Sequence, residues 1–199
     1  MFGPTEAFGS TRFPGQSVDD PGPRPFQVVF LAETRDPVPA GNGGGAHVVT
    51  DATIDATPPL DIVLIPGGLG TRTQYQNQTL IDWIHREDAR VQLMTSVCTG
   101  EVLLAQTGLL CGRRATTNHA AFDWFVQNSP QGINWTKEHR WVDEGHYVTS
   151  GGVSAGTDMA CYLVERLCGS EVAKAMVKFM EYNWERVPHE QPPVPDLPR

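Results

Sequence analysis

The residue whose type and placement carry the most chemistry is a cysteine in the run "VQLMTSVCTGEVLLAQTGLL" (Val91–Leu110). Up to Val97 the apolar residues crowd together without alternation, as in a strand buried on both faces; beyond Gly100 they recur three and four apart, as on a helix. Cys98 stands where one rhythm gives way to the other. A residue at such a turn projects from the chain, and Gly100 leaves room for the backbone to bend and a substrate to approach. The N–H groups of the helix that follows favour an anion. A thiolate is therefore expected to be stabilised at Cys98, as in catalytic cysteines. The bland alternative is a buried structural thiol. Cys111, Cys161 and Cys168 are assigned to that alternative, since they fall on helices or in a helix-terminal turn with no partner in view.

Two neighbouring motifs bear on the same chemistry. "IPGG" (Ile65–Gly68) ends the preceding strand, so the backbone N–H groups of Gly67 and Gly68 are expected to face the thiol as an oxyanion hole. "GGLGTRT" lacks the third glycine of a dinucleotide loop, with Thr73 in its place, and no GK[ST] appears for a P-loop. "GVSAG" (Gly152–Gly156) fits G-x-S-x-G and offers Ser154 as a rival nucleophile of a serine hydrolase. Its acid and histidine are poorly supplied, because Asp158 lies one turn into the helix and His189 sits in a proline-rich tail; Ser154 reads better as a helix cap, with the glycines permitting close packing. Of His119, His139 and His146, only His119 follows a strand able to reach the same sheet end, and it is the candidate base. A solvent-facing or cap-adjacent histidine is the ordinary alternative.

Holding these groups requires an α/β framework. "FQVVFLAE" (Phe26–Glu33), "AHVVTDATI" (Ala46–Ile54), "PLDIVLIPGG", Val91–Val97 and "RRATT" read as strands, and "WTKEHRWVDEGHYVTSGG" as a hairpin about Asp143-Glu144-Gly145. Helices are expected over 75–88, 100–109, "HAAFDWFVQN" capped by Thr117 or Asn118, "SAGTDMACYLVERLC" and "SEVAKAMVKFMEYNW". Residues 9–25 and "TRDPVPAGNGGG" read as loops. Alternation of strands and helices through short connections predicts a mainly parallel sheet. One domain over 1–187 and a proline-rich tail over 188–199 follow.

The 199 residues carry a formal charge of -8, which disfavours nucleic acid and anionic membrane surfaces. No apolar stretch approaches the ~20 residues of a spanning helix, and the N-terminus lacks a basic start followed by an apolar run. A cytoplasmic location is expected. The cysteines show no CxxC or Cys/His ligand spacing, so reduced thiols and no metal are expected.

"PLDIVLIPGGLGTR", "SVCTGEVLLAQTGLLCGRRATTNHAAFDWF" and "RWVDEGHYVTSGGVSAGTDMACYLVE" resemble, in order and spacing, the ThiJ/PfpI family of the class I glutamine amidotransferase-like superfamily. "SVCTG" followed by "GLL-x-GRRATT" is similar to the branch containing isonitrile hydratases, which add water to an isonitrile to give an N-substituted formamide. The resemblance implies a flavodoxin-like three-layer α/β/α sandwich, a small-molecule substrate, no cofactor, and a homodimer. It makes Cys98 the nucleophile, Thr99 its neighbour at the helix start, and Gly67 and Gly68 the backbone donors. Family members open with a central strand leading into "D-x-x-G-P-x-E-x-F"; this chain begins "MFGPTEAF", so the first strand and the water-activating Asp are missing, and either the recorded start is late or another segment or chain fills the slot. Glu6 is retained as a substitute acid or base, with a first-turn helix acid as its ordinary alternative. Asn118 stands where the hydratase motif continues with His-Trp, and Asn118 and His119 are expected at the substrate pocket. The alternative implied by related branches is a non-catalytic, redox-sensing or ligand-binding protein.

Overall fold

Residues 1–40 and 45–188 are described by a computed structural model. Helix α1 (Phe2–Ser10) opens the chain, followed by the short strands β1 (Leu31–Ala32), β2 (Val38–Pro39), β3 (His47–Val48) and β4 (Ala52–Thr53). β5 (Ile62–Ile65) leads to α2 (Thr71–Gln74) and α3 (Gln78–Asp88). β6 (Leu93–Val97) passes through one 3-10 turn, Cys98–Gly100, into α4 (Glu101–Gln106). β7 (Arg114–Ala115), α5 (Phe122–Asn128), β8 (Asn134–Trp135) and the hairpin β9 (Trp141–Glu144) and β10 (Tyr147–Ser150) follow, and α6 (Val153–Cys168) and α7 (Ser170–Phe179) close the fold.

The main sheet runs β5–β6–β10–β9, parallel except for β9. β6 is buried at every residue, as its unbroken apolar run requires of a strand covered on both faces. Its side chains alternate between two apolar layers. Met94 packs with Leu104, Leu110 and Phe125 on the α3–α5 side, while Leu93 and Val97 pack with Phe8, Met159 and Leu163 on the α1, α6 and α7 side. Helices on both faces of a mainly parallel sheet give the three-layer α/β/α sandwich expected from the sequence.

The edge beyond β5 departs from simple strand patterning. Phe26–Glu33 forms a strand only at Leu31–Ala32, which pairs with Ala52–Thr53 and stands apart from the main sheet. The reason is hydrogen-bond supply: among the described residues no strand pairs with the outer edge of β5, so nothing carries the sheet across to β1. Phe30 N instead donates to Asp51 Oδ2 at 2.8 Å, and Phe30 O accepts from Asp51 N at 2.8 Å. Ala46–Ile54 splits into β3 and β4. The loop expected over 34–45 contains β2, paired with β3; residues 41–44 of it, and residues 189–199 of the expected tail, lie outside the described residues. Helix α3 begins at Gln78, later than residue 75, because Asn77 Oδ1 accepts from Thr79 N at 3.1 Å and fixes the start. The helix expected from His119 begins only at Phe122 and has no side-chain cap; Asn118, and not Thr117, instead caps the 3-10 turn His119–Ala121 that precedes it, accepting from Ala121 N at 3.1 Å.

The segment after α7 is pinned back onto the sandwich. Asp158, on α6, is 1% exposed and accepts from the Arg140 guanidinium, from Tyr182 Oη at 3.0 Å and from Glu185 N at 3.1 Å. Trp184 Nε1 donates to Asp158 O at 3.2 Å.

Candidate active site

β6 ends at Val97 against Ser150 of β10, so the register continues with Cys98 beside Gly151 at the carboxyl end of the sheet. Cys98 has φ 58, in the left-handed region that a non-glycine residue adopts only where its surroundings hold it there. Its side chain is half-buried, against the α1 and α6 side.

Three contacts fix this turn. Gly67 lies so close that a Cβ would sit 2.7 Å from Thr99 N and 2.8 Å from Val97 O; Gly100 packs so tightly that one would meet Ile65 O and come within 2.7 Å of Pro66 O. The Pro66-Gly67-Gly68 corner and the Cys98 turn are thus in backbone contact. Thr99 Oγ1 accepts from Gly68 N at 2.7 Å and lies 3.0 Å from Gly68 O, to which it donates. Behind the cysteine, Thr117 Oγ1 donates to Cys98 O at 2.9 Å.

The structure therefore brings Cys98, Thr99, Gly67 and Gly68 together. The Gly68 N–H is donated to the Thr99 hydroxyl, which makes that hydroxyl the group through which the corner meets the nucleophile turn. Asn118 and His119 reach the same end of the sheet from the other side: Asn118 Nδ2 is 3.8 Å from where a Gly152 Cβ would lie, and His119 Nε2 is 3.6 Å from that of Gly151. Nε2 is buried with no hydrogen-bond partner. Burial holds the His119 pKa below its usual value, with the Lys137 and Arg140 charges acting in the same direction, which favours the neutral ring.

Glu6 is placed differently. α1 buries Pro4, Ala7 and Phe8 against α6, and at 100° per residue Glu6 falls off that face. It is exposed, its Oε1 accepts from Ser10 Oγ at 2.7 Å, and no hydrogen bond joins it to Cys98. It lies in the second turn of α1, which corrects its reading as a first-turn acid. The end of α1 that meets the site is its start: burial lowers the Met1 amine's pKa and the Cys98 charge pulls it back up, so the two lie within electrostatic reach.

Ser154 lies inside α6, whose cap is Gly152 with no side-chain bond, so Ser154 is not the cap that its position suggested. Its Oγ accepts from Arg140 Nη2 at 3.2 Å, and Asp158 is fully engaged in the anchor described above. His189 lies outside the described residues. Gly156 does serve close packing, since a Cβ there would come within 2.5 Å of Val97 Cγ1. Among the described residues no group of three or more His, Cys, Asp or Glu is placed to hold a metal ion, and no helix is long and apolar enough to cross a membrane.

One residue of the site went unread in the sequence. Glu101 is fully buried at the start of α4, with its Oε2 hydrogen-bonded to Ser96 Oγ. The signal was its spacing, on the same face as the buried Leu104 and Ala105.

The profile of the DJ-1/PfpI family matches residues 24–166. An isonitrile hydratase from Pseudomonas putida is 32% identical over 148 residues, spanning 74% of this chain and 63% of that protein. An HTH-type transcriptional regulator, CdhR, from Pseudomonas aeruginosa is 31% identical over 72% of this chain and 41% of its own length. The chain thus spans less than two-thirds of either curated relative. The crystal structure of a ThiJ/PfpI family protein from Pseudomonas syringae superimposes with a TM-score of 0.76 at 26% identity, covering 98% of this chain and 71% of that one.

Proposed function

Because the chain belongs to the DJ-1/PfpI family, we propose that it is a cysteine-dependent enzyme adding water to a small-molecule isonitrile to give an N-substituted formamide. The observation that carries this reading is Cys98 itself, held in a left-handed turn at the sheet's carboxyl end, partly open to solvent and in contact with the Pro66–Gly68 corner. The 32% identity to an isonitrile hydratase supports the choice of substrate.

In this mechanism the Cys98 thiolate forms a bond to the terminal isonitrile carbon, which takes up a proton to leave a thioimidate. Water adds to the same carbon, one of its protons passing to nitrogen; as the carbon–sulfur bond breaks, the hydroxyl proton is given up to solvent, replacing the one taken up at carbon, and the formamide and the thiolate are released. The sum is isonitrile plus water, with no net redox change and no cofactor. Thr99 and Gly67 hold the sulfur's turn in place; the Gly67 N–H is the donor assigned to the developing charge, since the Gly68 N–H is engaged by Thr99 Oγ1 and the Thr99 proton by Gly68 O. His119, neutral, and Asn118 line the pocket. The working form is proposed to be a cytoplasmic homodimer.

Incubation with cyclohexyl isonitrile, followed by NMR for the formamide, tests this: wild-type protein is expected to turn over, and Cys98→Ala to be inactive. No turnover by wild type, or unchanged turnover by Cys98→Ala, rejects it. Similarity to CdhR favours a second reading, a ligand-sensing protein; saturable binding of a small molecule without turnover would select it.

A further inference from the structure

Glu101 combines three features that an ordinary helix residue does not. It is a carboxylic acid with no solvent exposure; one oxygen meets Ser96 Oγ; the other, Oε1, is buried with no partner. Burying a carboxyl in this way is costly unless it serves the structure around it. Its position shows what it could serve. Ser96 is on β6, two residues before Cys98, and Glu101 opens α4, three residues after it. The contact between them closes the turn from behind, joining the strand arm to the helix arm, while Ser150 Oγ donates to Ser96 O at 3.1 Å and ties the same point to β10.

From this geometry we propose that Glu101 is a positioning residue, whose buried carboxyl clamps Ser96 and so keeps Cys98 in its left-handed, reactive conformation. The inference rests on the reading of Cys98 as the nucleophile. A left-handed non-glycine residue persists only where neighbouring contacts over-determine it: the Gly67, Gly100 and Thr117 contacts hold residues 97–100 directly, and the Ser96–Glu101 contact joins the strand and the helix on either side of them.

The charge state fits this role. Burial raises the Glu101 pKa to about 8, with the Ser96 hydrogen bond opposing the rise. The elements packed on α4 leave it without a countercharge. β5 and β6 carry no ionisable residue. Arg72 of α2 lies over the Trp124 ring, 4.8 Å from its centroid. On α3, Asp82 and His85 are exposed, Glu87 is held by Arg86 and Arg90, and Asp88 pairs with His146. A neutral acid holds Ser96 without placing a second negative charge beside the Cys98 sulfur, whereas an ionised one still accepts from Ser96 Oγ but would repel a thiolate at Cys98.

The test is alkylation of Cys98 by iodoacetamide, followed residue by residue by peptide mass spectrometry across a range of pH, with exposed Cys111 as internal control. The variants are Ser96→Ala, Glu101→Leu and Glu101→Gln, each checked for its unfolding midpoint. Loss of the clamp is expected to slow Cys98 relative to Cys111 by about tenfold near neutral pH in Ser96→Ala and in any Glu101→Leu that folds, whereas Glu101→Gln, which keeps a neutral hydrogen-bonding group, stays within about twofold of wild type. In wild type the Cys98 profile bends downward as Glu101 ionises, near pH 8; Glu101→Gln lacks that bend. The proposal is overturned if Ser96→Ala alkylates at the wild-type rate, or if the bend persists in Glu101→Gln. Isonitrile turnover is not read here, so absence of hydratase activity and absence of the clamp are separate results.

Discussion

Thr99 is the side chain through which the Cys98 turn is tied to the Pro66–Gly68 corner, because its hydroxyl both accepts from Gly68 N and donates to Gly68 O. Valine keeps the shape and removes both bonds. If Cys98 is the nucleophile, Thr99→Val is expected to lower kcat/KM for isonitrile hydration by roughly 10- to 100-fold and to cost about 2 kcal/mol of stability, since two bonds worth about 1 kcal/mol each are lost. Glu101 yields a prediction of pH dependence. Its folded pKa, about 8, lies above the ordinary 4.5, so the folded chain holds a proton that the unfolded chain loses between those values. Stability relative to Glu101→Gln is therefore expected to fall as pH rises from 4.5 to about 8 and to level off above, by at most about 1.4 kcal/mol for each pH unit crossed. Urea titrations of both proteins at several pH values measure the difference.

The elements around the site meet at points where nothing larger than hydrogen fits. Gly100 abuts the carbonyls of Ile65 and Pro66, and backbone cannot swing aside as a flexible side chain can. Gly100→Ala is expected to destabilise the protein by about 3 kcal/mol or more and to abolish Cys98 reactivity in whatever fraction folds; circular dichroism melts and thiol labelling read the two effects. Such contacts explain which parts of the fold were legible in the sequence. β6, the Cys98 turn, α6 and the β9–β10 hairpin have local signals, namely an unbroken apolar run, a change of rhythm, helical periodicity and a turn at Gly145. Phe26–Glu33 reads just as clearly as a strand, yet its state is decided by a partner strand, which no local pattern encodes. Among the site residues, Cys98, Gly67 and Gly68 were legible because strand ends and glycines are local features. Glu6 and Glu101 exchanged standing because exposure and burial depend on which helix face meets a neighbour. The Asp158 anchor escaped notice because its partners lie at Arg140 and Tyr182, far apart in sequence.

At the scale of the whole molecule, that anchor joins the hairpin, α6 and the segment after α7 through one buried charge pair. Asp158→Ala leaves Arg140 largely buried without a countercharge and is expected to cost about 3–5 kcal/mol. Tyr182→Phe removes one hydrogen bond and is expected to cost about 1–2 kcal/mol. Denaturant midpoints distinguish the two. The sheet itself has two inner strands, β6 and β10, each bonded on both sides, while β5 and β9 are each bonded on one side only among the described residues. Deuterium exchange would show the difference directly, with β6 amides slow throughout and β5 divided between protected and fast positions. Heat or urea that frees Ile62–Ile65 should loosen the cysteine turn with it, because the carbonyls of Ile65 and Pro66 abut Gly100.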